Sequence, residues 1–186
     1  MSDLTIDDIE PGHPGRQFYN FWTANQAENG FFLREKFNPT AFPQLLPWAA
    51  IVERQERVAG SPTKYAWQRE RRYCYIYRLF GTGFASVWDV DLTGLEVCNT
   101  LSSEEAKANT ESLDRTLEEN IVRVHLLKTV LDGKVCHVIN VAFPMSTDGT
   151  KLDQTLGISA PEDFELARSG KAVDAYSSLG GIYSAK

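Results

Sequence analysis

Tyr75-Ile76-Tyr77-Arg78-Leu79-Phe80-Gly81-Thr82, followed by Asp91-Leu92-Thr93-Gly94, is the stretch whose reading decides the fold. Aromatic and β-branched residues run from about Arg71 to Phe80 and predict a strand. Strict alternation places Tyr73, Tyr75, Tyr77 and Leu79 on one face, and Arg72, Cys74, Ile76, Arg78 and Phe80 on the other. Gly81-Thr82-Gly83 ends the strand, because glycine tolerates backbone angles other residues avoid. It is not a phosphate loop: the Gly-Lys-Ser/Thr ending is missing and Phe84 follows. Short helical pieces are expected from there to Gly94 and beyond.

Upstream of that strand, residues 1–15 carry Asp3, Asp7, Asp8 and Glu10, no base, and then Pro11, Gly12, Pro14 and Gly15. This composition predicts a mobile acidic arm. Residues 16–47 read as a helical extension. Phe18, Phe21, Trp22 and Asn25 recur at helical steps up to Asn29-Gly30, and a second short helix is capped by Asn38, opened by Pro39 and stopped at Leu46-Pro47. Trp48–Val52 predicts a short buried strand, and Arg54–Gln68, with Gly60-Ser61-Pro62, a loop.

Downstream, Ser102-Ser103-Glu104-Glu105 is a capping box that opens a long helix with Ala106, Thr110, Leu113, Leu117 and Ile121 on one stripe. Val124–Leu131 and Lys134–Met145 form a hairpin about Asp132-Gly133. Thr147-Asp148-Gly149 turns into a last strand over Thr150–Ile158. A short helix over Asp163–Arg168 and a loose tail complete residues 160–186. The expected class is α+β: five antiparallel strands within residues 48–159, flanked by helices.

A chain of 186 residues, 42% hydrophobic, suits one core with short tails. The net charge of −6 argues against nucleic-acid binding, which needs basic surface. That charge is uneven. Residues 89–120 hold nine acids against Lys107 and Arg115, whereas residues 53–72 hold six bases against three acids. Such a pair of surfaces suits either a solvated exterior or the docking of an oppositely charged partner. Cys74, Cys98 and Cys136 form no CxxC pair, no signal peptide is evident, and the apolar runs Leu45–Val52 and Val138–Phe143 are far shorter than a membrane span. A cytoplasmic protein with no membrane segment is expected.

Phe37-Asn38-Pro39, Leu45-Leu46-Pro47, the Tyr-Arg-Leu-Phe-Gly-Thr strand end, Leu92-Thr93-Gly94 and Phe143-Pro144-Met145-Ser146-Thr147-Asp148-Gly149 occur in one order. Together they resemble the bacterial single-domain PAS family, type 5, of alphaproteobacteria, over roughly Phe18 to Gly157. The resemblance implies a PAS-like five-stranded antiparallel sheet. It also implies a non-enzymatic sensory or adaptor module that binds a small molecule, an unidentified signalling protein, or both. Two departures stand out: Pro144-Met145-Ser146 replaces the family's Pro-Leu-Ser, and Leu33-Arg34 replaces a Pro-Arg pair. Both leave the ligand and any cofactor unnamed.

For a ligand site, His137 alternates with Val135, Ile139, Val141 and Phe143, which directs it inward. There it is either a satisfied core histidine or a polar anchor for a guest. His125 lies beyond the long helix, near the axial-ligand position of some haem-binding PAS domains, and His13 falls in the arm with no expected role. The candidate ligand site is Tyr75, Tyr77, His137 and Ile139 beneath the long helix, with Arg78 as the alternative on the opposite face. Arg78 and Arg34 match arginines of the family pattern. Arg78 either holds an anion or clamps Asp89, Asp91 or Asp148. Phe18, Phe21 and Trp22 make the first helix apolar enough for a homodimer seam, or for a cap over its own sheet. No metal-ligand spacing and no nucleophile elbow is present. Two other classes stay open: a small enzyme using His137 or Asp148 as acid or base, and an interaction-only scaffold with a filled core.

Overall fold

In the computed structural model, residues 4–83, 85, 90–131 and 134–162 are described. The elements are helix α1 (Pro14–Ala24), strands β1 (Ala49–Glu56) and β2 (Tyr73–Phe80), helix α2 (Ser103–Glu118), and strands β3 (Arg123–Leu131), β4 (Lys134–Met145) and β5 (Gln154–Pro161). The strands form one antiparallel sheet in the order β2-β1-β5-β4-β3. Chain ends and middle thus interleave: β5 returns to pair with β1 at the centre. The five-stranded antiparallel α+β fold read from the sequence is the one observed.

Both faces of this sheet are covered. On one face Phe18 and Trp22 of α1 meet Ile51, Val141, Phe143, Met145, Leu156 and Ile158. α1 lies close enough that a Cβ on Gly15 would sit 2.5 Å from Val141 Cγ2, so glycine is required by the approach itself. The opposite face packs Val52 and Tyr75 against Val97, Leu113 and Leu117. α2 opens on the expected capping box, Ser102 Oγ accepting from Glu105 N at 3.4 Å while Ser102 N donates to Glu105 Oε2 at 3.1 Å. It ends at Glu118, three residues before Ile121, because Asn120 takes a left-handed φ of 51° that closes the helix.

Several expectations are corrected. Residues 4–13 are docked rather than a free arm: Leu4 bridges to Val124, Ile9 is buried, and His13 is buried as the N-cap of α1. His13 Nδ1 accepts from Gly15 N at 3.1 Å, a role not expected of a residue in a mobile arm. Phe18, at 0% exposure, and Trp22, whose Nε1 donates to Pro144 O at 3.1 Å, are spent on their own sheet. With Phe21 packed beside them, they cap the sheet of their own chain. The short helix after Asn38 is a pair of 3-10 turns, Pro39–Ala41 and Leu46–Trp48.

β1 runs on to Glu56 through polar residues expected to form a loop, since Arg54 and Glu56 pair with Tyr75 and Tyr73 of β2. β5 starts later than Thr150, because Asp153 folds the preceding turn by accepting from Thr147 N and Oγ1. The expected turn at Asp132-Gly133, the helix over Asp163–Arg168 and the tail lie outside the described residues, as do Phe84 and Asp89. Among the described residues no helix is long and apolar enough to cross a membrane.

Candidate functional site

The face beneath α2 is built in cross-strand rows. Nearest the β2 edge stand Tyr73, Tyr75 and Tyr77. Tyr75 is buried and its hydroxyl donates to Asp114 Oδ1 of α2 at 2.6 Å, while Asp114 also takes Arg71 as ion-pair partner. Burial pushes the phenols of Tyr75 and Tyr77 up to about 12, so both remain neutral donors. Arg54 lies over the Tyr73 ring at 4.7 Å and donates to Leu152 O at 2.8 Å.

Toward the sheet centre the side chains shrink. One row aligns Ala50, Gly157, Ala142 and Arg123, and the next aligns Ser159, Asn140 and His125. Asn140 Nδ2 donates to Ser159 Oγ, and His125 Nε2 meets Ser112 Oγ of α2 at 3.0 Å. Thr155 Oγ1 is buried with no hydrogen-bond partner among the described residues. A Cβ added to Gly157 would meet only Asn140 Nδ2 at 3.6 Å and Ala50 O at 3.8 Å among the described residues. Gly157 needs no positive φ either, so neither backbone nor packing demands a glycine there. The result is a polar patch under a helix, poor in side chains at Gly157 and Ala142 and flanked at its β3 end by Arg123, whose Nε is buried with no hydrogen-bond partner among the described residues. On its α2 side Cys98 Sγ touches Thr110 Oγ1 at 3.4 Å, and burial pushes that thiol up, so it is an unreactive thiol.

The candidate site drawn from the sequence is not assembled. Tyr75 and Tyr77 do face α2, but Ile139 lies in the α1 cluster on the opposite face. His137 shares Ile139's side and lies beyond the core: its side chain is 36% exposed and pairs with Glu162 at 2.9 Å. Length explains this. β4 has 12 residues, roughly 41 Å of strand, and the 11-residue α1 is only about 16 Å long, so β4 outruns its cover. The alternation within β2 also fails at one place. The register shifts between Ile51/Val52, which pairs Ile51 with Leu79 and Val52 with Tyr77. Arg78 is the extra residue of this bulge. Leu79 therefore packs against the α1 cluster, whereas Phe80 turns back beside Tyr77 at 5.3 Å.

Arg78 is a clamp, but on a carboxylate the sequence did not suggest. Its Nε and Nη2 donate to the two oxygens of Glu53 at 3.0 and 2.8 Å. This fork holds the Glu53 carboxyl down at about 2. Asp91 and Asp148 instead close their own turns on Thr93 N and Thr150 N, which lowers both carboxyls. Arg34 donates to Phe37 O at 3.2 Å and lies over the Phe37 ring at 5.4 Å. Among the described residues no cluster of three His, Cys, Asp or Glu side chains could hold a metal ion. The patch around Gly157 was missed because its members are small residues with no motif. The only available signal was a glycine inside a strand, which marks close backbone approach or open space.

No model of a known protein family matches the chain, and no curated protein sequence matches it. Among solved structures it is similar to the PAS domain of BvgS from Bordetella pertussis, at 16% identity and a TM-score of 0.45, covering 74% of this chain and 98% of that one. It is also similar to a sensory box histidine kinase/response regulator from Burkholderia thailandensis, at 8% identity and a TM-score of 0.35, covering 74% and 93%. An RsLOV variant aligns at 11% identity and a TM-score of 0.40, covering 80% and 87%. The α+β fold is PAS-like, and that statement rests on the sheet order and the helix between β2 and β3.

Proposed function

We propose that this chain is a non-enzymatic PAS-type sensory or adaptor module whose α2-facing sheet surface receives a small-molecule ligand. The observation that carries the reading is the glycine-centred patch of Gly157, Ala142, Asn140, Ser159 and Thr155. It offers hydrogen-bonding groups and backbone surface where a filled core would carry branched side chains. A ligand there touches α2 and the sheet together, and it signals only through a difference in affinity between two arrangements of those elements. The residues of the acid/base alternative lie apart from this patch: His137 pairs with Glu162 at the sheet's far end, and Asp148 closes an exposed turn.

Native mass spectrometry of freshly purified protein tests the proposal. A non-covalent adduct on the natural chain, absent from Gly157→Leu with an unchanged circular dichroism spectrum, is the expected result. An adduct that survives Gly157→Leu places the ligand elsewhere. A natural chain that neither retains nor binds small molecules supports the interaction-only scaffold instead.

A further inference from the structure

The basic segment 53–72 forms a second concavity, unrelated to the patch under α2. A cavity of about 640 Å³ opens between the 57–63 loop that follows β1 and the approach to β2, and Arg57, Arg69 and Arg71 line it together with Ser61 and Thr63. No carboxylate is among its lining residues. Three guanidiniums around one void repel each other unless anions sit among them.

Two of these charges are answered from behind. Arg57 pairs with Glu96, which also accepts from Gln68 Nε2 at 2.9 Å, and Arg71 pairs with Asp114. The third, Arg69, is exposed and has no acid partner among the described residues. The Arg57 side chain is only 8% exposed, and its Nε is buried with no hydrogen-bond acceptor. Arg57 therefore forms the buried, paired back of the cavity, and the charge presented to an occupant is that of Arg69. The hydroxyls of Ser61 and Thr63 make no hydrogen bond among the described residues and add two donors at the rim. At −6 overall the chain repels anions at large, so attraction here is local and not a property of the whole surface.

We propose that this cavity is a binding site for a small oxyanion, of the kind that phosphate esters and carboxylic acids present. Arg69 supplies the uncompensated charge, and the Ser61 and Thr63 hydroxyls complete the cradle. Guanidinium forks match both oxyanions in the same bidentate geometry, so the chemistry is shared. Arg57 also connects the site to the rest of the fold. Its partner Glu96 adjoins the Val97–Thr100 turn, whose Cys98 touches α2.

The test uses the full chain, with inorganic phosphate and citrate as probes and sodium chloride holding ionic strength constant. Calorimetric titration and amide chemical shifts give the affinity and the location. Saturable binding of at least one probe is expected, with shifts concentrated in residues 57–63 and 69–71. Binding of phosphate alone assigns a phosphate ligand, and binding of citrate alone a carboxylate ligand. Arg69→Gln weakens binding by about tenfold, the order expected for losing one charged hydrogen-bonding group. Arg115→Gln, an equal charge change on the exposed side of α2, leaves it within about twofold. Thr63→Asp, which places a carboxylate in the lining, abolishes it. The proposal is overturned if neither probe saturates, if shifts spread over the surface, or if Arg69→Gln and Arg115→Gln lose affinity equally.

Discussion

Phe18→Ala is the sharpest test of how the first helix is used. Phe18 is fully buried at the middle of α1, with the rings of Phe21, Phe32, Phe37, Phe42 and Phe143 at centroid distances of 5.0 to 6.0 Å. Most of these contacts are edge-to-face. Truncating such a ring leaves a cavity that neighbours so mutually packed cannot collapse into, and the cost is about 3–5 kcal/mol. At roughly 2–4 °C per kcal/mol for a chain of this size, the midpoint falls by roughly 6–20 °C. Urea unfolding followed by far-UV circular dichroism measures the free-energy loss, and thermal unfolding the fall in midpoint. Because a domain holds only about 5–15 kcal/mol in total, Phe18→Leu, with a loss of roughly 1–2 kcal/mol, serves if the alanine variant fails to fold. Protein concentration decides the interpretation. A helix capping its own sheet gives midpoints independent of concentration in both chains, whereas a helix in a dimer seam gives a natural-chain midpoint that rises with concentration. A loss below about 1 kcal/mol for Phe18→Ala, or a concentration-dependent midpoint that the variant abolishes, would refute the assignment of α1 to its own core.

Three further outcomes are expected. His13 is buried, its Nδ1 takes the Gly15 N–H and its Nε2 faces Ala160 O at 3.4 Å; desolvation lowers its pKa below the ordinary histidine value of about 6.5. A folded-state pKa below the unfolded one means stability that is complete above about pH 6.5 and is lost as pH falls through the folded value, so urea midpoints fall across that window. His13→Asn, which keeps an N-cap acceptor, flattens the dependence. Ser102→Ala removes the cap of α2 and costs about 1 kcal/mol in the same assay, with no change in the position of β2 signals by NMR. In Arg78→Gln the Glu53 carboxyl, now at about 2, titrates close to the ordinary glutamate range, as carboxyl carbon shifts report. With the arginine present, its stabilising share is intact above the unfolded value of about 4.5 and disappears as pH drops toward the folded one.

Local signals in the sequence determined the elements, and they did so where the physics is local. The Ser102–Glu105 box, the two-residue spacing of β3 and β4 and the break at Gly81 each act within a few residues, so their consequences are visible without the rest of the chain. The order of those elements, joined to the family resemblance, was enough for an antiparallel five-stranded α+β fold. Which residues meet was decided only by the tertiary structure. A strand with one wet face reveals its orientation by alternating polar and apolar residues, but this sheet is covered by α1 on one side and α2 on the other, so both faces are apolar and parity is silent. The single extra residue at Arg78 then reverses the faces of Leu79 and Phe80, which separates Leu79 from Tyr77. Arg78 with Glu53, Tyr75 with Asp114 and His13 with Ala160 are contacts across 25, 39 and 147 residues, set respectively by the register of β1 with β2, by the packing of α2 on the sheet and by the docking of residues 4–13 beside β5. The patch at Gly157 consists of what side chains leave out, and an omission acquires a location only when the strands beside it are in register.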